Sequence, residues 1–218
     1  MKYLIIMLLF VTNCYAVEFE ILAGHSVYAT SNNGIWYQTG KGLDYHFERD
    51  ANSVGFGLTD YIAPDVRWHA GYMNLGETTS WAIATPDADY TGSGCVKSPC
   101  DKYDVYMGKG SVEGFYFTVS PEYTYNDFKF FVEGGLWAFL AKFNATVIGP
   151  RTQTYNQVFF NMNKKEDWQL GLVVGFGVEY RKTQFLVSAW RVDSVNDWDV
   201  MIPNYQGYTT NFSIRHIF

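Results

Sequence analysis

The chain has 218 residues, of which 48% are hydrophobic and 19% aromatic, and its formal net charge at pH 7 is -6. This acidic balance, without any basic run, argues against nucleic-acid binding. Beyond the first residues no apolar run approaches the ~20 residues that a membrane-spanning helix needs, which excludes a helical membrane protein.

The first predicted element is a secretory signal peptide over residues 1–16. A short basic start precedes the apolar run YLIIMLLFV, and Ala16 provides a small residue at the cleavage site. The apolar run is too short to span a bilayer. We therefore expect an exported chain that begins at Val17. A lipoprotein cleaved at Cys14 is the alternative, and Asn13, a bulky polar residue where a small one is needed, argues against it.

From Val17 onward, apolar and polar side chains alternate with a period of two, which is typical of two-faced strands. In DWQLGLVVGFGVEYRK, one face runs from Trp168 to Tyr180 and is apolar, while the other is small or polar and carries Glu179. Aromatic rings at both ends of an apolar face favour a lipid-facing strand over a strand of a soluble sandwich. Eight segments are predicted to be strands, at residues 17–30, 52–62, 66–76, 112–123, 128–141, 167–182, 183–193 and 211–218.

Short and long connections alternate between these segments. Tight turns are predicted at 63–65, 125–127 and 181–183, and long connections at 31–51, 77–111, 142–166 and 194–206. This alternation is typical of outer-membrane barrels, whose short turns face the periplasm and whose long loops face outward. The sequence therefore predicts an all-β fold, an eight-stranded antiparallel up-and-down transmembrane β-barrel over residues 17–218, in the outer membrane of a Gram-negative cell.

Two cysteines, Cys95 and Cys100, lie in the longest predicted loop, in GSGCVKSPCDK. An even, closely spaced pair in an exported protein favours a small disulfide. A zinc site needs about four ligands and no histidine lies nearby, so the metal interpretation is weak. We predict a disulfide there, and neither a metal site nor a cofactor.

Four segments resemble the transmembrane domain of OmpA and its relatives. They are GYMNLG, SPEYTYND, VEGGLWAF and, most clearly, GVEYRKT, and the spaced pattern covers most of the chain after the signal. The resemblance implies a small barrel-only protein without a peptidoglycan-binding domain, and it indicates fold far more than activity.

The final segment, NFSIRHIF, is predicted to close the barrel against the first strand. Phe212, Ile214 and Phe218 share its lipid-facing side, and Arg215 faces the interior. The resemblance implies that the terminal aromatic pattern is an assembly signal read by the barrel-assembly machinery.

An eight-stranded barrel is just wide enough for side chains to fill its interior, so inward charges have to pair with one another. In the seventh segment we expect Arg191 to face inward, with Leu186, Trp190 and Val192 outward. The predicted lumenal ionic network comprises Arg67, His69, Lys129, Glu133, Glu179, Arg191 and Arg215.

The OmpA resemblance implies a set of lumenal acid and base partners that plugs the pore. Glu179 stands at one of the acid positions, whereas His69 replaces an acid and Ser120 and Val187 replace bases. These departures favour a fixed ionic core over a gated channel.

Catalysis is the weakest of the functional hypotheses. His25 and Ser26 are adjacent, and neighbouring residues of a strand point to opposite faces, so their side chains do not meet. We interpret His25 as an interfacial ring and predict no enzymatic activity; a lipid A-modifying barrel is the remaining enzymatic alternative.

The predicted function is a structural or surface-interaction role through long extracellular loops. These loops carry aromatics such as Trp36 and Trp198, which serve either recognition or the aromatic girdle. A narrow small-solute channel is the main alternative. The expected partners are outer-membrane lipid and lipopolysaccharide, the assembly machinery and an extracellular ligand of the loops, and the chain is expected to be a monomer.

Overall fold

The computed structural model describes residues 17–29, 45–84, 104–152, 155–165, 167–194 and 205–218. No helix long and apolar enough to cross a membrane occurs in these ranges. The strands there are β1 (Glu18–Val27), β2 (Tyr45–Glu48), β3 (Asp50–Ala63), β4 (Val66–Ala84), β5 (Asp104–Tyr125), β6 (Phe128–Thr152), β7 (Tyr155–Lys165), β8 (Gln169–Tyr180), β9 (Thr183–Ser194) and β10 (Tyr205–Ile217).

Eight of these strands form a closed antiparallel barrel in the order β1, β3, β4, β5, β6, β8, β9 and β10. The seam lies between the first and last strands, which pair from Glu20 opposite Ile217 to Val27 opposite Thr210. Closure leaves the barrel without an unpaired edge. The predicted eight-stranded antiparallel architecture is confirmed.

Two-residue turns join β3 to β4, β5 to β6 and β8 to β9 at one end of the barrel, which we call the turn end. Their backbones are left-handed at Asp65 (φ 60°), Asn126 (φ 54°), Arg181 (φ 49°) and Lys182 (φ 65°). The Arg181–Lys182 turn has positive φ at both central residues, which matches the twist of antiparallel strands, and each turn sets the register of the two strands it joins. All three predicted turns are confirmed.

The barrel exterior is apolar around its circumference. On β8, the outward side chains from Leu170 to Phe176 are exposed, and the same holds for Val54 and Phe56 on β3. Aromatic rings flank this belt, with Tyr180 near the turn end and Trp168 at the opposite edge. A continuous exposed apolar belt with aromatic borders is the surface of a protein that spans a membrane, so the barrel is a transmembrane one.

The prediction of which β9 side chains face the interior was wrong, because the inward face is shifted by one residue along the strand. Leu186, Trp190 and Val192 are buried inside the barrel, whereas Arg191 faces outward. The turn explains the difference, because a two-residue turn sets Tyr180 directly opposite Thr183 on the same, outward face. The odd-numbered residues of β9 therefore face outward.

Several strands are much longer than predicted. β4, β5 and β6 contain 19, 22 and 25 residues, although about 9–11 residues suffice to cross a membrane. Parts of the predicted loops 31–51, 77–111 and 142–166 are therefore strand. We call β2, β7 and residues 77–84, 104–111 and 142–152 together the raised sheet.

The extension of β4 passes through a β-bulge between Asn74 and Glu77. Gly76 has φ 93° there, a backbone conformation that glycine adopts without strain, and its N–H donates to the Asn74 side chain at 2.8 Å. The extra residue changes which positions point outward, so that Glu77, Thr79 and Trp81 face away from the barrel interior.

Candidate functional site

The centre of the barrel interior is organised around Arg215 on β10. Its guanidinium donates two hydrogen bonds to Glu133, Nη1 to Oε2 at 3.0 Å and Nη2 to Oε1 at 3.1 Å. Nη1 also donates to Gln184 Oε1 at 3.0 Å, and Nε lies 3.7 Å from Glu20 Oε2. All four side chains are buried. A paired, two-pronged contact of this kind fixes both partners in orientation as well as distance.

His69 on β4 extends this cluster toward β1 and β5. Its Nδ1 lies 2.8 Å from Glu20 Oε2, and its Nε2 lies 3.1 Å from the Ser120 hydroxyl. The Tyr116 hydroxyl donates to Glu20 Oε1 at 2.7 Å, and Thr118 donates to Glu133 at 2.5 Å. The carboxylates are therefore satisfied by several donors from neighbouring strands, as buried charges require.

A second ionic group lies nearer the turn end. Arg67 reaches Glu122 at 3.1 Å and Glu179 at 3.3 Å. Lys129 lies 3.6 Å and 3.8 Å from the same two carboxylates. The Tyr61 hydroxyl accepts from Arg67 at 2.5 Å and from Lys129 at 2.7 Å, and donates to Glu122 at 2.9 Å.

Gln184 joins the two ionic groups into one network. Its amide nitrogen donates to Glu179 at 2.8 Å, while its carbonyl oxygen accepts from Arg215. The interior from the turn end to the middle of the barrel is thus filled by interlocking charged and polar side chains.

Aromatic side chains fill the interior beyond the ionic network. Trp137 stacks on Phe139 with ring centroids 4.7 Å apart and meets Trp190 edge-on at 5.0 Å. Farther from the turn end, the ring centroids of Tyr28 and Tyr205 lie 4.6 Å apart beneath the raised sheet. The Tyr28 hydroxyl donates a hydrogen bond to the Gly76 carbonyl at 2.9 Å. The described interior is therefore solid, as expected for a barrel of this width.

Of the predicted ionic residues, six lie inside the barrel: Arg67, His69, Lys129, Glu133, Glu179 and Arg215. Arg191 does not belong to this network. Its side chain is 50% exposed on the outer surface and pairs with Asp193 at 2.7 Å. This follows from the corrected facing of β9, and it also means that Val187 is not an interior position.

Several members of the network were not predicted. Tyr61, Tyr116 and Gln184 each bridge charged partners. The register set by the turn at Arg181 and Lys182 would have identified Gln184, because it pairs with Glu179 on the inward face. Tyr61 lies beside a register shift in β3, which interrupts the alternation that sequence reasoning uses.

His69, Ser120 and Glu20 have the arrangement of a hydrolase triad, with a carboxylate at one ring nitrogen and a hydroxyl at the other. All three side chains are fully buried. Arg215 Nη1 also lies 3.3 Å from His69 Nε2. Ser120 is therefore closed off from solvent and from lipid in this arrangement.

The outer face of the raised sheet is mainly polar and also carries exposed aromatic and apolar side chains. Lys109 pairs with Glu77 at 2.7 Å, Lys142 pairs with Glu113, and Thr79 donates to Glu48 at 2.7 Å. Beside these pairs lies an open groove of about 580 Å³ lined by Thr79, Ser80, Trp81, Met107, Gly108, Lys109, Asn144 and Thr146. The mixture of ion pairs and exposed rings is that of a surface in contact with water and head groups.

The remaining predicted residues divide into two sets. Phe212, Ile214 and Phe218 face outward, and the Phe218 N–H donates to the Phe19 carbonyl at 2.9 Å. Cys95 and Cys100, like Trp36 and Trp198, lie outside the described residues. Within the described ranges, no group of histidine, cysteine and carboxylate side chains is arranged to hold a metal ion.

Comparison with known proteins gives distant structural similarities only. No protein-family model matches the sequence, and no curated protein matches it significantly. Among solved structures, neisserial surface protein A is 13% identical with a TM-score of 0.40, over 93% of this chain and 97% of that chain. Ail, the attachment invasion locus protein of Yersinia pestis, is 11% identical with a TM-score of 0.41, over 93% and 97%.

A second structure of Ail, in complex with the heparin analogue sucrose octasulfate, is 13% identical with a TM-score of 0.37, over 94% of this chain and 100% of that chain. The strand pairing of this chain, rather than these distant similarities, shows that it forms the eight-stranded transmembrane barrel that the resemblance to the OmpA domain implied.

Proposed function

We propose that the protein is an outer-membrane barrel that holds a surface-exposed sheet and its connecting loops in a fixed position for contact with other molecules. The observation that carries this proposal is the raised sheet. β4, β5 and β6 run about twice the length needed to cross a membrane. Strand pairing that continues beyond the apolar belt builds a rigid platform, and recognition residues are often carried on such scaffolds.

The outer-membrane location is supported by the signal peptide predicted at residues 1–16 and by the apolar belt of a closed barrel. Only barrels and helices satisfy every backbone polar group within lipid. Outer-membrane lipid and lipopolysaccharide are the expected surroundings of the belt.

The composition of the outer face also supports a contact surface. Trp81 and Met107 are exposed next to charged and hydroxyl side chains. Tryptophan and methionine are enriched at protein interfaces, where contact with a partner removes their apolar surface from water.

Solute passage and catalysis are less well supported. The ionic network and the aromatic rings occupy the interior from the turn end to the level of Tyr28, which argues against a conducting path. The side chains of the His69 group are fully buried. On the outer surface, His25 Nε2 lies 3.3 Å from Asp50, and no nucleophilic side chain of the described residues contacts this histidine.

A trimmed barrel tests the proposal. Thr79 pairs directly with Lys109, so an Asn-Gly turn can replace residues 80–108 in the same way that two residues join the strands at the turn end. We expect bacteria expressing the intact chain to adhere to epithelial cells or matrix proteins, and adhesion of the trimmed variant to fall at least tenfold.

A second trimmed variant joins Asn144 to Asn163 across the paired strands β6 and β7; it removes another part of the raised sheet, so its adhesion should also fall. Heat-modifiable gel migration verifies that each variant still forms a barrel in the membrane. Adhesion of the intact chain no higher than that of cells with an empty vector would refute the proposed surface role.

A further inference from the structure

The outer face of the raised sheet carries an aromatic platform. Trp81 and Met107 stand directly opposite each other on β4 and β5, and they are 40% and 47% exposed. Met107 in turn lies opposite Thr146 on β6. These three residues line the open groove of about 580 Å³, together with Lys109 and Asn144. The volume of this groove falls within the roughly 300–1,000 Å³ of sites that bind small molecules.

The groove lies beyond the apolar belt. On β5, Phe115 belongs to the exposed rings of the belt, and Met107 stands farther from the turn end on the same strand. The separation is about 25 Å along the strand, at about 3.3 Å per residue. The ion pair between Lys142 and Glu113 lies between them. The groove is therefore outside the acyl region of the membrane, and its occupant is a water-soluble group rather than a lipid chain.

Backbone pairing narrows the kinds of partner. β5 pairs with β4 and β6 across the row of Trp81, Met107 and Thr146. In the same row β4 also pairs with β2, and β6 also pairs with β7. Each strand under the groove thus has a neighbour on both sides, so a peptide cannot add to the sheet there as a further strand. A ligand of the groove is bound by side chains.

The charges around the groove are compensated within the sheet. Lys109 Nζ lies 2.7 Å from Glu77 Oε1, and the Thr79 hydroxyl donates to Glu48 at 2.7 Å. A sulfated, phosphorylated or acidic ligand would meet two carboxylates around a cation that is already paired. Charge complementarity therefore favours a neutral ligand.

The side chains of the groove have the chemistry that binds a sugar. A sugar ring presents a face of C–H bonds, which packs on the negatively polarised face of an aromatic ring such as that of Trp81. Its hydroxyls exchange hydrogen bonds with hydroxyl and amide groups, which Thr79, Asn144 and Thr146 supply. The register continues these residue types into β7, where Asn163 is the residue opposite Asn144.

We propose that this groove binds neutral sugars in the glycan chains of other cells, with one ring stacked on Trp81 and its hydroxyls bonded to Asn144 and Thr146. The inference rests on the surface role proposed above and specifies the partner of the raised sheet. Recognition then depends on an aromatic ring and uncharged polar groups rather than on net charge.

Binding of the purified barrel, in mild detergent, to immobilised glycans tests the proposal. The probes are chains that end in glucose, galactose, mannose or N-acetylglucosamine, their sulfated and sialylated forms, and the core oligosaccharide of lipopolysaccharide. We expect binding to at least one neutral chain and weaker binding to its charged forms. No binding to any neutral chain, tighter binding to the charged forms, or binding confined to the lipopolysaccharide core would overturn the proposal.

Single substitutions locate the site. Trp81→Ala should lower the affinity for the bound neutral glycan at least tenfold, and Asn144→Ala should lower it severalfold. Trp168→Ala is the matched control, because Trp168 is an exposed tryptophan at the border of the belt and does not line the groove; it should bind as the wild type does. A Trp81→Ala variant that folds, by heat-modifiable migration, and binds as tightly as the wild type would refute the assignment.

Adhesion assays separate this inference from the surface role itself. We expect free neutral glycan and Trp81→Ala each to reduce the adhesion of bacteria that express the intact chain. If the trimmed variant loses adhesion while neither of these reduces it, the sugar assignment is wrong and the surface role stands. Glycan binding by the purified barrel without adhesion of the bacteria would contradict the surface role and support the sugar site.

Discussion

Replacement of Arg215 by methionine should destabilise the barrel by about 3–5 kcal/mol, the cost of removing one partner from a buried ion pair. Arg215 is the cation that Glu133 contacts twice and that Glu20 approaches. Without it, the Glu20 and Glu133 carboxylates remain buried without the guanidinium that pairs with them. Equilibrium unfolding by guanidinium in lipid vesicles, followed by gel migration, measures the loss.

Arg191→Met is the matched control, since it removes the same charge from a residue that is half exposed and pairs with Asp193 on the outer surface. Exposed pairs contribute about 0–1 kcal/mol. The double variant Arg215→Met with Glu133→Gln should recover part of the lost stability, because one buried charge is then removed. Equal unfolding midpoints for the two single arginine variants would refute the central role of Arg215.

Trp137→Ala should also cost about 3–5 kcal/mol, the usual range for a buried tryptophan. The indole is 1% exposed and packs against Phe139 and Trp190. Its Nε1 donates to the Arg191 carbonyl at 3.0 Å. Truncation removes these contacts and leaves a cavity that the rigid wall of the barrel cannot close.

Trp168→Ala controls for loss of a tryptophan as such. Trp168 is 55% exposed at the border of the belt and stacks on Phe115 with centroids 6.0 Å apart. We expect a loss of about 0.5–1.5 kcal/mol, typical of one aromatic pair. The same unfolding measurement applies, and a cost for Trp168→Ala equal to that for Trp137→Ala would contradict the assignment of Trp137 to the structural interior.

The alternation of side chains predicted the barrel because lipid and interior impose opposite demands on the two faces of a strand. Leu170 and Leu172 are exposed while Val173 and Glu179 are buried, as the pattern indicated. The same reasoning failed on β9, where Trp190 and Leu186 face inward. Where the interior also holds aromatic and aliphatic side chains, both faces of a strand are apolar. Only the register set by the turn then shows which face points inward.

The raised sheet could not be predicted from alternation for a related reason. Beyond the membrane, outward positions such as Lys142 and Asn144 no longer need to be apolar, so a strand there resembles a polar loop. The inward position Phe143 still carries the signal, since its side chain is buried. A search for inward periodicity alone would have extended β6 to this residue.

Much of the charged membership of the ionic network was predictable, but its uncharged bridging residues and its pairing were not. Alternation identified Arg67, Glu133 and Arg215 as inward, because charges on the lipid face are costly. Which carboxylate meets which cation depends on the stagger of strands far apart in the sequence. Tyr61 illustrates this, since its hydroxyl links Arg67, Lys129 and Glu122 from three other segments.

Recordings of the purified wild-type protein in planar lipid bilayers test the central claim most directly, namely that the interior of this transmembrane barrel is a filled structural core. Because Arg215, Trp137 and Trp190 are almost fully buried across the interior, we expect no steady ion conductance above that of the bilayer alone. A reproducible steady conductance from folded, heat-modifiable protein would contradict the filled core and favour a solute channel.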